Sequence, residues 1–313
     1  MAVYVPEIQR DLEKDLQYVT EGDVIGTPAN FGTLPTASPS FSFHGKNQRF
    51  TYKDTPEGIP IQTIDDEART SIKKIKSSGV LTVEYDLTDF AYTGDLDWFT
   101  KLNTTNFASR TYLFSRNPGT EYYRVLSGCV PIRTTISFPE DNSPVHVSAE
   151  ILVTAPEAED TTHGLTTPTF APAISADVVC PSDGGLDSFD WNAVNYKTKG
   201  FELTIEMVHS MVDADDANTI QHMYPSRRII SGSVNVFKKQ GADAPHADIY
   251  ARTLRAMRRV LKPFDSPTSG TRLDLTAVDV AEDEVNNADI RSESTIKNYS
   301  FTAGTLTLTE LTS

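Results

Sequence analysis

Two runs decide the fold: Tyr122-Tyr-Arg-Val-Leu-Ser-Gly-Cys-Val-Pro-Ile-Arg-Thr-Thr-Ile-Ser-Phe138 and, after a polar break, Val145-His-Val-Ser-Ala-Glu-Ile-Leu-Val153. Val130, Ile132, Ile136 and Phe138 share one parity, while Arg133, Thr135 and Ser137 share the other. Past the break, Val145, Val147, Ala149, Ile151 and Val153 alternate with His146, Ser148 and Glu150. A period of two over this length predicts half-buried antiparallel strands, because successive side chains point to opposite faces. Pro139 to Pro144 supply the turn, and neither proline could serve a central ladder. The expected unit is a long hairpin; which layer of the molecule it occupies stays open, since both faces carry plausible residues.

Working outward, residues 6–18 carry Ile8, Leu12 and Leu16 at spacing four, which predicts a short amphipathic N-terminal helix or arm. Glycine and proline then make 18–39 irregular. Short strands are expected at 41–46 and 49–53, a long mixed loop at 54–70, and strand again at 71–87, where Leu81, Val83, Tyr85 and Leu87 oppose Thr82, Glu84 and Asp86. Residues 95–102 read as a short helix with acids early and a lysine late. A short strand at 112–115 and the hairpin follow, and 154–181, rich in Thr, Ala and Pro, reads as a linker. Beyond it, Phe201, Leu203, Ile205 and Met207 alternate with Glu202, Thr204 and Glu206. An acidic loop is expected at 209–225 and a strand at 227–237. A helix is expected at 247–261, with a stripe of Ile249 or Tyr250, Leu254, Met257 and Leu261 closed by Pro263. Strands return at 272–280, 295–301 and 305–311.

Set side by side, the halves share an order of elements: strand, long loop, strand, short helix, strand, closing hairpin. In this alignment 112–115 matches 272–276, 95–102 matches 247–261, and 130–153 matches 295–311. Residue identity between the halves is slight. The order favours a mainly β chain of two tandem antiparallel β-barrel or sandwich modules, each with one flanking α-helix. The first would span 1–160 with an N-terminal arm, a linker 161–181, and the second 182–313.

The chain has 313 residues, 38% hydrophobic and 23% charged, with a net charge of −15. No apolar run approaches the roughly 20 residues of a membrane helix, and residues 1–7 carry no basic region followed by an apolar one, so neither a membrane span nor a secretory signal is expected. The negative balance opposes grip on a nucleic-acid backbone, which needs clustered Lys and Arg. It is compatible with a surface past which DNA slides without sticking. Cys129 and Cys180 stand too far apart to read as a metal knuckle or a disulfide framework. His44, His146, His163, His209, His222 and His246 are scattered; His209 and His222 flank the acidic loop, where a bound cation is conceivable. Phosphate loops, dinucleotide fingerprints and nucleophile elbows do not occur. Neither a cofactor nor a catalytic function is expected, and the chain is expected to act through its surfaces, with unpaired strand edges available for pairing.

Tyr18-Val-Thr-Glu21, Gly26-Thr-Pro28, the 77–87 strand and Tyr224-Pro-Ser-Arg-Arg-Ile-Ile-Ser-Gly-Ser-Val234 resemble the major tail tube proteins of long-tailed prokaryotic viruses. The order of elements is similar too, so the resemblance spans most of the chain with loose motifs. It implies a virion protein made in the host cytoplasm, whose rings stack around a channel for viral DNA. Two tube domains in tandem imply homotrimeric rings of pseudo-sixfold symmetry, with tape-measure, tail-terminator and baseplate proteins as further partners. Under that resemblance Glu84, Asp86, Glu202 and Glu206 would face the lumen. Ile59, Ile61, Ile64, Met211, Val212 and Ile220, on the two long loops, would meet the next ring. The alternatives are a tail-terminator or baseplate-hub protein of the same fold, forming one ring, and a two-domain carbohydrate-binding adhesin using Trp98, Tyr112, Tyr122, Tyr123 and Trp191.

Overall fold

Along Gly79–Asp86 side chains alternate without a break between buried and half-buried, and the same period of two builds almost every element of the chain. A computed structural model describes residues 14–21, 32, 39–54, 57–61, 71–76, 78–88, 95–100, 108–116, 122–139, 143–158, 160–165, 168–172, 174, 178, 189–196, 198–212, 222–237, 248–249, 251–261, 270–282 and 296–311. In chain order the elements are β1 (Lys14–Thr20), β2 (Lys46–Asp54), β3 (Glu57–Ile61), β4 (Ser71–Lys76), β5 (Gly79–Asp86), helix α1 (Asp95–Thr100), β6 (Arg110–Arg116), β7 (Tyr122–Phe138) and β8 (His146–Pro156). They continue as β9 (Phe189–Trp191), β10 (Val194–Tyr196), β11 (Thr198–Val212), β12 (His222–Phe237), β13 (Arg255–Leu261), β14 (Gly270–Glu282), β15 (Ile296–Ala303) and β16 (Thr305–Leu311).

The expected hairpin is β7 with β8, paired antiparallel from Leu126↔Pro156 to Ser137↔His146. It lies inside a 14-stranded antiparallel sheet whose main path runs β10-β9-β13-β14-β15-β12-β11-β7-β8-β5-β2, with β6 on β7, β1 on β6 and β16 on β14. The fold is therefore mainly β, and the sheet is open where closed barrels were expected. The reason lies in β7, which is long enough for two neighbours on one edge. Its first half pairs with β6 and residues 133–138 pair with 201–206 of β11. The sheet therefore runs on from the first half into the second. Among the described residues the first half comes nearest to closure just ahead of β2, where Tyr18 of β1 and Ser42 exchange backbone hydrogen bonds of 2.9 and 2.8 Å and Gln48 Nε2 donates to the Leu16 carbonyl at 2.7 Å.

Both halves repeat one strand order. The first runs β2-β5-β8-β7-β6-β1 and the second β11-β12-β15-β14-β13-β9, which is the same permutation of chain order. Finer geometry agrees. Arg110 faces Cys129 before the register slips to Tyr112↔Leu126; Arg255 faces Val278 before it slips to Met257↔Leu275. The residue just before each facing position is left-handed, Gly128 at φ 62° and Ala277 at φ 51°. These matches correct the alignment drawn from sequence: β6 corresponds to β13, and the β7–β8 hairpin to β14 with β15 and its continuation β16.

The misalignment came from the helix expected at 247–261. Only one turn forms around Asp248 and Ile249, closed by hydrogen bonds from Arg252 N–H to the Ile249 carbonyl (3.2 Å) and from Thr253 N–H to the Asp248 carbonyl (3.0 Å). Arg252 itself is left-handed at φ 49°, which ends the helix. From Arg255 the chain is strand, with Met257 and Arg259 buried and Ala256 and Arg258 exposed. Pairing with β9 on one side and β14 on the other overrides a sequence of good helix formers. Likewise, residues 14–18 of the expected N-terminal helix are in β1, and the remainder lies outside the described residues.

One apolar cluster runs through both halves, from Leu16 through Leu81, Tyr85, Ile136 and Leu203 to Phe301 and Leu306. Where the halves meet, Phe201 packs on Phe138, Phe301 and Phe189 with ring centroids 5.3, 5.8 and 6.4 Å apart. Gly232 lies under this cluster; a Cβ there would fall 2.2 Å from the Glu202 carbonyl oxygen and 2.5 Å from the Phe301 ring. The described part of the expected linker is seated on the first half: Asp160 bridges to Tyr123, Thr169 to Ser40, and Leu165 packs with Phe41, Leu113 and Val125.

Candidate functional site

The face opposite the core is polar and continuous across eight strands. One cross-strand row reads Arg49-Glu84-Ser148-Thr135-Thr204-Ser231-Thr302-Asp279 from β2 to β14. A second reads Asp86-His146-Ser137-Glu202-Ser233-Ser300-Ala281, and a third Thr51-Thr82-Glu150-Arg133-Glu206-Ile229. The four acids singled out from sequence therefore share one face: Glu84 in the first row, Asp86 and Glu202 in the second, Glu206 in the third. The hairpin's polar parity lies on that face as well.

This face is not an acidic lining alone. Arg49 stands opposite Glu84, and Arg133 stands between Glu150 and Glu206, its Nε 3.9 Å from Glu206 Oε1. His146 Nδ1 lies 3.1 Å from Asp86 Oδ1, and Ser137 Oγ donates to Glu202 Oε2 at 3.5 Å. Between the charges lie hydroxyls, such as Thr135 and Thr204, whose Oγ1 atoms are 3.2 Å apart. Sequence reasoning placed Arg133 and Glu150 on a polar parity without assigning them a site, and it missed Asp279. The signal that finds them is ladder register, since each is level with an acid already chosen. A shallow groove of about 500 Å³ crosses this face between Glu202, Ser231, Ser233, Asp279 and Thr302.

Two ribbons leave the sheet at equivalent points of the two halves. Gly79 and Ile230 are the last residues of β5 and β12 paired to β8 and to β15, and they hold equivalent positions in the two halves. Next in the chain to this end of β2 and β5, β3 pairs with β4 as a separate two-stranded ribbon, Glu57↔Lys76 to Ile61↔Ser71. Past Ile230 the ladder continues between β11 and β12, from Glu206↔Ile229 to Val212↔His222. The two long loops are thus shorter than expected, and much of each is a two-stranded arm. Ile59 and Ile61 lie in β3, and Met211 and Val212 at the end of β11; Ile64 and Ile220 lie outside the described residues.

His209 sits at the root of the second arm and ties it to the first half. Its Nε2 lies 2.7 Å from the Pro131 carbonyl, a contact that the neutral ring makes by donating, and burial lowers its pKa below the usual value. Arg228 makes a second tie, donating from Nη1 to the Thr100 carbonyl of α1 at 2.6 Å and from Nη2 to the Leu306 carbonyl at 3.2 Å. Both histidines that flank the expected acidic loop therefore lie on the arm strands, and His209 is oriented by backbone. Three of the proposed glycan-binding aromatics are enclosed: Trp191 and Tyr112 are buried, and Trp98 donates to the Ala108 carbonyl while stacking on Arg110. No family model matches the chain, and no curated protein is significantly similar to it.

Proposed function

We propose that this chain is a structural virion protein, a tail tube subunit whose rings stack around a channel for viral DNA. The observation that carries this reading is the β7–β11 joint, which fuses two copies of one strand order into a single open sheet with an unbroken polar face. Four strands of each half carry that face, β2-β5-β8-β7 and β11-β12-β15-β14, so a chain supplies eight and a ring of three chains twenty-four. Three chains of two pseudo-equivalent halves make a ring of pseudo-sixfold symmetry. Turned inward, a surface of hydroxyls and carboxylates, with Arg49 and Arg133 set opposite acids, offers DNA little to grip in transit. The two arms, leaving from equivalent points of the two halves, would reach the next ring. Tape-measure, terminator and baseplate proteins would then meet the tube at its ends.

Negative-stain microscopy of the purified protein tests this. Hollow filaments with a regular axial repeat are expected. A monomer that persists at high concentration would sink the reading, and closed rings that never stack would favour a terminator or hub role. For the channel, Glu84→Lys with Glu202→Lys is expected to leave assembly intact and impair DNA delivery; normal infectivity of such tubes would remove the electrostatic role.

A further inference from the structure

We propose that a second copy of this chain docks head to tail by repeating the internal joint, the outer edge of β2 in one copy pairing with the end of β14, from Asp279 to Glu282, in the next. This rests on reading the chain as a self-assembling subunit, and it names the two edges that meet. Inside the chain, β7 runs past the end of β6 and offers the freed edge to β11, the first face-bearing strand of the second half. Its counterpart β14 likewise runs past the end of β13, whose last pairing is Arg255↔Val278. Beyond Val278, β14 pairs with β15 on one edge, and among the described residues no strand takes the other. The counterpart of β11 is β2, which ends the sheet and has β5 on one edge only among the described residues. The chain therefore presents, at opposite ends, the same two kinds of edge that it joins at its centre.

Three further features suit these ends to each other. The described edge of β2 carries exposed Arg49, Thr51 and Lys53. The end of β14 carries exposed Asp279, and Glu282 closes the strand. A basic edge facing an acidic edge steers association and disfavours the head-to-head alternative, in which like charges would meet. Leu254, 56% exposed, immediately precedes Arg255 at the point where the β14 edge becomes free. An exposed leucine beside an unpaired ladder is what an incoming strand would cover. Pairing of this kind is heterologous, so it closes into a ring only when the rotation fits.

Charge exchange tests the assignment. Arg49→Glu with Lys53→Glu, and separately Asp279→Lys with Glu282→Lys, should each give a folded chain that sediments as a monomer where the wild type assembles. All four substitutions in one chain should restore assembly. Amide hydrogen exchange of the unmodified protein provides a readout free of folding artefacts: residues 49–54 and 279–282 should gain protection on assembly. Wild-type assembly by either two-site variant, or assembly without protection at these edges, overturns the inference while leaving the proposed function standing. A wild type that never assembles removes both.

Discussion

The two halves of the sheet share a strand order but secure it by different chemistry. At the bulge of the first half, the Glu21 carboxylate accepts hydrogen bonds from Gly128 N–H (2.8 Å), Gly32 N–H (2.9 Å), Thr111 Oγ1 (2.6 Å) and Ser109 Oγ. Beside it the Arg110 guanidinium lies 3.9 Å from the Tyr18 ring centroid and 4.2 Å from that of Trp98. At the matching bulge of the second half an alanine takes the left-handed conformation, and Arg255 is held by two hydrogen bonds to Asp248, 3.0 and 3.1 Å, which also accepts from Trp191 Nε1 at 2.8 Å. The difference teaches that the fold is specified by alternation and ladder register, which the halves share. The polar fastenings are local solutions that can diverge, and this is why residue identity between the halves is slight.

The largest expected effect breaks the joint between the halves. Phe201→Ala removes the ring that touches Phe138, Phe301 and Phe189, and should cost about 3–5 kcal/mol. Trp98 reports on the first half and Trp191 on the second, so urea unfolding followed in variants retaining one tryptophan or the other reads each half separately. Coincident transitions are expected in the parent. In Phe201→Ala the Trp191 transition should move to lower urea than the Trp98 transition. A common shift of both would mean that the halves unfold as one body whatever the joint contributes.

The equivalence of the bulges predicts substitutions of opposite sign. Gly128→Ala puts a Cβ on a left-handed residue and should cost about 1–2 kcal/mol. Ala277→Gly relieves the same strain while loosening the unfolded chain, and should fall between neutral and about 1 kcal/mol stabilising. Thermal melts of the two variants check this; a destabilising Ala277→Gly would show that the positions are alike in geometry but not in energy.

Much of this was legible in sequence where strands alternate cleanly. The β7–β8 hairpin, β5 and the central part of β11 follow from parity alone, and parity put Glu84 with Asp86 and Glu202 with Glu206 on the polar side of their strands, whereas bringing the two pairs to one face rested on the resemblance. What failed was the reading of 247–261 from its period. Residues 249, 254, 257 and 261 fit a helical stripe, no apolar–polar alternation marks Arg255 to Leu261, and it is the neighbouring β9 and β14 that make this stretch a strand. That one error moved the repeat by a strand and hid the counterpart of β6. The open sheet was illegible for a similar reason, since β7 and β11 pair across a linker and nothing local in either strand names the other. The arms were read as loops because their pairing continues past a bulge, at Val208/His209 in the second half, where the alternation is interrupted.

Titration separates the fastenings further, with smaller effects. Burial lowers the pKa of His209 below 6.5, so the unfolded chain binds the extra proton first, and stability falls as pH drops from 6.5 through the folded value. Desolvation raises the pKa of Glu21 above 4.5 despite its four donors, so there the folded chain binds the proton first, and stability falls as pH rises from 4.5 through the folded value. His209→Asn should flatten the first slope and Glu21→Gln the second. Denaturation of each variant between about pH 4 and 8 measures both. Identical slopes in parent and His209→Asn would place the pH sensitivity outside the joint.

The smallest effect sharpens what holds the joint. Arg133 and Glu206 face each other across β7 and β11, 3.9 Å apart, but both are about half exposed, at 52% and 48%. Two long side chains in water gain little from such a pair, and Glu150 on the other side of Arg133 competes for it. A double-mutant cycle with Arg133→Ala and Glu206→Ala should therefore give a coupling below about 0.5 kcal/mol. Backbone ladder and buried phenylalanines hold the joint, and the halves are already tethered, so charge has no encounter to steer. Between separate copies the same kind of edge must first be found by diffusion, and there charge acts on association rate and on the choice of partner. A coupling well above 0.5 kcal/mol inside the chain would remove that distinction, and salt should then loosen the joint within one chain as much as the contact between two.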